Sequence, residues 1–301
     1  MSRLEWLTER QNGVGGSEVS AVVGLSKWRS PFDVWLDKTS PIVEQPPTLP
    51  MELGTYLEDF IVDKYRQDTG NQVQTNLDYI AMEKAPWRRC NLDGLVTLPG
   101  GDHGVLEAKT SGDSRSWGEP GSAEIPQDYF CQVQWNMHVA GLTWADVPVL
   151  FFDGSRRLEC YHVQADKQFQ AWMAEVVDEF WASVISGEPP EPTTGDEAAA
   201  MWPKHEPGKT VEVDEQIVLQ LEQLKALKAE SKKTSSAIKM IESELKVAIG
   251  DAEALADGDR IVATWKAATS KRLDTSALKA AHKELCDEFT KTTTSRRLLI
   301  K

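Results

Sequence analysis

Two short runs decide how this chain reads: Asn91-Leu92-Asp93-Gly94-Leu95 and Val105-Leu106-Glu107-Ala108-Lys109-Thr110. Each sets a carboxylate into an apolar run with strand character, and Asp93-Gly94 and Gly100-Gly101 supply turn signals. Side chains two apart on a strand share a face. Glu107 and Lys109 therefore project together, beside Asp93 if the two runs form a hairpin. Two carboxylates and a lysine at one place suit a hard divalent cation. Mg2+ takes oxygen ligands, commonly one or two carboxylates plus water and substrate phosphate. A cation so held activates water and stabilises charge on a scissile phosphate. The lysine can hold the attacking water or neutralise charge in the transition state. The carbonyl of Ala108, between the pair, is a further candidate ligand. Taken alone the pattern is weak, because a surface Glu-Lys pair and an Asp in a turn read the same way.

Outward from these runs, helix and strand signals alternate. The N-terminal segment reads as a loop leading into a helix that begins after Gly13, Gly15 and Gly16 and stops at Gly24. Ser17 is an N-cap residue type there, and a helix start of this kind is also a natural anion site. Pro31 opens a second helix with Phe32, Trp35 and Leu36 on one face. A proline-rich linker over 41–50 leads to a helix over 51–68, which carries Glu58 beside Leu57 and Phe60. Strands are expected over 72–74, 77–82, 92–98, 105–109, 144–152 and 157–163, and helices over 126–141 and 168–185. Gly187 and prolines 189, 190 and 192 place a boundary that divides the chain into domains 1–195 and 196–301. The second part reads as a long polar helix or helical hairpin over 214–249, a strand over 260–266 and a helix over 276–289. Ile217, Leu224, Ile238 and Leu245 fall at one heptad position of the long helix.

Composition excludes some classes and obscures another. The 301 residues hold 33 Lys+Arg against 47 Asp+Glu, a net charge of -14, which on its face discourages a phosphate-binding role. The charge is uneven: residues 1–200 balance to -16, residues 201–301 to +2, and residues 260–301 to +6. The basic end includes Lys291, Arg296, Arg297 and Lys301. No apolar run reaches the roughly 18 residues that a membrane span needs. The N-terminus has no apolar secretory core, so a cytoplasmic protein is expected. The four cysteines (90, 131, 160, 286) form no CxxC, and the five histidines form no HExxH. Neither zinc chemistry nor an iron–sulfur cluster is expected. No Walker A motif is present. Trp28, Trp35 and Trp135 are read as core residues, whereas Trp117, in the Ser- and Gly-rich 111–122 loop, is the tryptophan to test for DNA contact.

The ordered motifs resemble a known family. GVGGSEVSAVVGLSKWRSPFDVWLDKT from Gly13 is similar to the N-terminal signature of the YqaJ-type viral recombinases, phage-type nucleases related to lambda exonuclease within the PD-(D/E)xK superfamily. Gly54-Thr55-Tyr56-Leu57-Glu58, Asn91-Leu92-Asp93-Gly94, Glu107-Ala108-Lys109-Thr110 and the stretch from Tyr129 to Met137 follow in the family's order, so the resemblance covers roughly residues 5 to 190. One departure is the missing proline in Trp87-Arg88-Arg89-Cys90-Asn91.

The resemblance implies an α/β, restriction-endonuclease-like core, with a central mixed β-sheet flanked by helices and a mostly helical C-terminal extension. It implies that Asp93, Glu107 and Glu58 bind metal, that Lys109 is the catalytic lysine, and that Gln132 acts from a nearby helix. Gln134 is the alternative to Gln132. Arg10 and Ser17 fall where the family holds the DNA 5′-phosphate. The implied activity is a Mg2+-dependent exonuclease, with Mn2+ a possible substitute, acting 5′ to 3′ on double-stranded DNA ends during phage-type recombination. A homo-oligomer, in some relatives a trimeric ring, and a single-strand annealing protein are the implied partners. An endonuclease of the same chemistry and a non-cutting DNA-end-binding scaffold remain competing readings.

Overall fold

In the computed structural model, residues 3–44, 46–154, 156–292 and 295–300 are described; Lys301 of the basic end lies outside them. The chain divides into two units, 1–197 and 198–301.

The first unit opens with α1 (Arg3–Gln11), α2 (Gly16–Val22), α3 (Pro31–Thr39) and α4 (Leu49–Thr69). β1 (Gln72–Gln74), β2 (Ile80–Met82), β3 (Ala85–Cys90), β4 (Gly94–Thr97), β5 (His103–Leu106) and β6 (Lys109–Ser111) follow. It continues through α5 (Gln127–Ala140), β7 (Trp144–Phe151), β8 (Arg157–Gln164), α6 (Lys167–Ser186) and the start of α7 (Gly195–Met201). The main sheet is mixed. β1, β4 and β5 pair antiparallel in sequence, β5 and β6 pair parallel to β7, and β8 returns antiparallel on the other edge of β7.

The expected hairpin forms, with Gly94 opposite Leu106 and Thr97 opposite His103. The expected single strand over 105–109 does not run through. Leu106 pairs with Asp146 and Lys109 with Val149 in one register, but regular pairing breaks at Glu107 and Ala108. The physical reason lies in β4, which ends at Gly94. The N–H of Glu107 still reaches the Asp146 carbonyl at 3.0 Å, while that of Ala108 meets the Asp93 side chain instead of a strand.

Apolar side chains pack on both faces of the sheet. On one face Val105, Val147 and Val149 join Val14, Val19, Trp135 and Met173 from the α2, α5 and α6 side. On the other, Leu106, Val96 and Trp144 pack with Val62 and Tyr65 of α4. Burying hydrocarbon on both faces fixes the height and tilt of β5 and β6, and so the position of Glu107 and Lys109.

Several expectations are corrected. Residues 3–11 form a helix rather than a loop, held by tertiary contacts: the Gln11 amide donates to the Asp37 and Ser40 carbonyls at the end of α3. β3 is an additional strand hidden by its arginines. Arg88 is paired with Asp178 at 2.6 Å and Arg89 with Glu9 at 2.7 Å, so a strand too polar for an apolar pattern is stabilised by charge. Trp28 is 85% exposed, outside any helix. Trp117 is buried among Tyr129, Phe151 and Tyr161, with ring centroids 5.0–5.6 Å away, so it is a core residue and not a DNA contact.

In the second unit α8 (Glu215–Ile249) is one continuous helix, which removes the hairpin alternative. Its heptad residues Ile217, Ile238 and Leu245 are exposed. β9 (Ala254–Asp257) and β10 (Arg260–Thr264) form an antiparallel pair. The expected helix over 276–289 is two short ones, α9 (Thr275–Ala281) and α10 (Lys283–Glu288), separated at His282. No helix among the described residues is long and apolar enough to cross a membrane.

Candidate active site

Glu107 lies at the break between β5 and β6 and is 1% exposed. A buried carboxylate needs partners for its charge and lone pairs, and α5 supplies most of them. Gln132 donates to Oε1 at 2.5 Å and Asn136 to Oε2 at 2.9 Å. Lys109 Nζ donates to Oε1 at 2.6 Å and sits 5.1 Å from the centroid of the Tyr129 ring. Tyr129, Gln132 and Asn136 fall at helical spacing on one face of α5, and that face is the roof of the site.

Asp93 stands at the head of β4, where its Oδ2 accepts the Ala108 N–H at 2.9 Å. Burial raises the Asp93 pKa well above the ordinary value; the charges of Glu107 and Glu58 raise it further, against the opposing pull of Lys109 and the Ala108 N–H. Burial and then Glu107 also raise the carboxyl of Glu58, on α4. Lys109 is desolvated, yet Glu107 and Asp93 hold its pKa above normal, so it remains an ammonium. The structure thus brings Glu58, Asp93, Glu107 and Lys109 within electrostatic reach of one another. Gln132 joins them and Gln134 does not: its amide serves the Gln164 carbonyl, the Asp166 N–H and Gln170 inside the fold.

Among the described residues, no set of three or more His, Cys, Asp or Glu side chains converges closely enough to hold a metal unaided. The donor chemistry nevertheless fits a divalent cation. Three carboxyl groups lie within electrostatic reach of one ammonium; burial first, and then the charge of Glu107, raises both Asp93 and Glu58, and a cation would relieve both causes. Mg2+ normally takes only one or two carboxylates and completes its shell with water and phosphate.

Beside this cluster lies a cavity of about 140 Å3 lined by Trp6, Arg10, Ser17, Asp93 and Gln132, with Tyr79 and Asn91 at its wall. Ser17 is not the N-cap expected of it. Gly15 holds that position, and Ser17 is an exposed residue in the first turn of α2. Arg10 lies over the Trp6 ring at 4.7 Å and donates to Glu18 at 2.6 Å. The sequence reading missed Glu18, Lys38 and the role of Asn136. Asn136 at least was detectable, since it shares the helical face of Tyr129 and Gln132.

Residues 5–143 match the YqaJ-like viral recombinase domain. That segment is similar to the family's domain. The matched segment contains the whole Glu58–Asp93–Glu107–Lys109 cluster and its α5 roof. Over its full length the chain is 28% identical to the uncharacterised protein YqaJ of Bacillus subtilis (strain 168), covering 95% of that protein. Among solved structures it is similar to an alkaline exonuclease, LHK-Exo, from Laribacter hongkongensis, at 22% identity and a TM-score of 0.50 over 62% of this chain and 94% of that one. A second structure of LHK-Exo, in complex with dAMP, matches at a TM-score of 0.51 with the same coverage. The fold of the first unit is therefore the restriction-endonuclease-like one.

Proposed function

We propose that the protein is a Mg2+-dependent exonuclease that degrades linear double-stranded DNA from its 5′ ends, leaving single strand for recombination. The observation that carries this reading is the shared cavity, where Arg10 and Ser17 face Asp93 and Gln132 across about 140 Å3. An enzyme that recognises a phosphorylated 5′ end holds the terminal phosphate near the bond it cuts, and this arrangement suits that task. The structural likeness to an alkaline exonuclease supports the same class of chemistry.

Asp93, Glu107 and Glu58, with the Ala108 carbonyl, would hold the cation. When bound, it supplies Lewis acidity and an acidified water. Lys109 orients that water and offsets charge developing on the phosphate. Gln132 and Asn136 fix the rotamer of Glu107, so that its oxygens need no rearrangement during the reaction. Arg10 and Ser17 take the terminal 5′-phosphate. The basic 260–301 segment serves DNA or an annealing partner, and a homo-oligomer would keep the enzyme on its substrate. We place the protein in the cytoplasm, encoded by a phage or prophage.

The test is digestion of linear duplex and of supercoiled circle, with Mg2+ or with EDTA, by the wild type, Glu107→Ala and Lys109→Ala. Degradation of the linear form alone, abolished by EDTA and by either substitution, is expected. Cutting of the circle would identify an endonuclease. No metal-dependent digestion would leave an end-binding scaffold.

A further inference from the structure

Lys38 is a buried cation outside the metal cluster. Its side chain is 1% exposed, on α3, and its ammonium donates to Glu18 Oε2 at 2.7 Å and to the backbone carbonyl of Arg10 at 2.5 Å. Glu18 is 3% exposed, and its other oxygen, Oε1, accepts from Arg10 Nη2 at 2.6 Å. Its Oε2 also accepts the Gly15 N–H at 3.3 Å. Arg10 is thus held at both ends, its guanidinium by Glu18 and its carbonyl by Lys38. Arg10 and Glu18 line the cavity that contains Ser17 and Asp93; Lys38 does not, and with them it lines a second cavity of about 450 Å3.

The charge count gives Lys38 a purpose. An Arg10–Glu18 pair alone would be neutral, and a neutral pair attracts a phosphate weakly, particularly where low dielectric magnifies each charge. Lys38 cancels the carboxylate from the buried side and leaves the trio with one net positive charge. Burial acts to raise the Glu18 pKa, but the charges of Lys38 and Arg10 outweigh it and keep the group a carboxylate. Burial lowers the Lys38 pKa, against the pull of Glu18, and the two acceptors it donates to, Glu18 Oε2 and the Arg10 carbonyl, hold it as the ammonium. Asp37, whose charge also reaches Lys38, is paired with Arg29 at 2.6 Å. Glu18 takes one of the five guanidinium donors of Arg10, so others remain for a ligand.

We infer that Lys38 and Glu18 are positioning residues that make Arg10 a rigid, net-cationic receptor for a terminal phosphate monoester. Lys38 neutralises the carboxylate that aims the guanidinium. This inference rests on the exonuclease reading above, and it assigns the discrimination between phosphorylated and unphosphorylated ends to a buried charge that never touches DNA.

The experiment compares kcat and KM on linear duplexes with 5′-phosphate or 5′-hydroxyl ends for the wild type, Lys38→Met, Glu18→Gln and the double variant, with folding checked by thermal melting. The wild type is expected to favour phosphate. Lys38→Met leaves the trio neutral and should lower that preference about tenfold or more, through KM. Glu18→Gln keeps an acceptor for Arg10 while removing the negative charge, so the preference should persist. The double variant returns the trio to one positive charge and should regain most of the preference lost by Lys38→Met. A purely structural role predicts the reverse, with the double variant at least as impaired as either single one, and that result overturns the inference. Persistence of the preference in Lys38→Met also overturns it while leaving the phosphate-pocket reading intact. A wild type indifferent to the 5′-phosphate removes both. If Lys38→Met fails to fold, Glu18→Gln still decides, because its loss of preference contradicts the charge argument.

Discussion

The backbone N–H of Ala108 donates to Oδ2 of Asp93 at 2.9 Å, at the point where the strand carrying Glu107 and Lys109 loses its β4 neighbour. One carboxylate therefore closes an open sheet position with one oxygen, and the proposed metal role would draw on its other oxygen. Ending β4 at Gly94 exposes the Ala108 N–H, and Asp93 is the first residue before that end. Structural and chemical needs converge on the same side chain.

Asp93→Asn separates those needs. Asparagine retains an oxygen for the Ala108 N–H but removes the charge that repels Glu107 and Glu58. Activity should fall by about 10²-fold or more, on the scale seen when a transition-state electrostatic group is lost. In EDTA the variant should melt at a higher temperature than the wild type. A lower melting temperature in EDTA would mean that the carboxylates are not in net repulsion.

The same shift sets a pH dependence. Because the Asp93 and Glu58 pKa values are raised, the folded protein holds more protons than the unfolded chain between the ordinary carboxylate value, about 4, and the raised one. Metal-free stability should therefore decline as pH rises through that window. Exonuclease activity, which needs the ionised carboxylates, should rise through the same window. Melting curves in EDTA and initial rates in Mg2+ across a pH series check the two opposite slopes. Parallel slopes would contradict the assignment.

Gly16 packs directly on the site roof. A Cβ there would overlap Oδ1 of Asn136, a buried oxygen with no hydrogen-bond partner, whose amide nitrogen holds Glu107. Gly16→Ala should cost about 1–3 kcal/mol of stability by overpacking and lower kcat by displacing Glu107. Asn136→Ala should lower kcat without the steric cost. Denaturant unfolding and single-turnover rates separate the two, and a fully active Gly16→Ala would show that α2 does not brace the site.

The second unit carries its own prediction. Lys204, His205, Arg296 and Arg297 line one cleft of roughly 580 Å3, joining positions distant in sequence. If this cleft and the basic 260–301 segment meet DNA phosphates, truncation after Asp257 should weaken binding and flatten its dependence on salt. Arg296→Ala with Arg297→Ala should reproduce part of that loss, with a slope change of about one for each phosphate contact removed. An unchanged slope, measured by binding at several salt concentrations, would assign the segment to protein contacts instead.

The sequence by itself determined the hairpin around Asp93 and Glu107, the strands that became β7 and β8, the helices that became α4, α5 and α6, and the grouping of Tyr129, Gln132 and Asn136. All are local in origin: period-two or helical spacing, turn glycines, and a face shared at fixed offsets. Tertiary structure decided the rest. The break at Glu107 and Ala108 depends on where a neighbouring strand stops, which no local pattern encodes. The choice of Gln132 over Gln134 follows from which side of α5 faces the sheet edge. The Lys38–Glu18–Arg10 trio joins three helices and is stable only because burial forces each charge to find a partner. The net charge of -14 weighed against the proposed DNA role because composition counts charges without placing them. The proposed function depends on their placement, with acidic groups gathered at Asp93 and Glu107 and a half-buried cation at Arg10 on the cavity wall, and only the folded chain sets those positions.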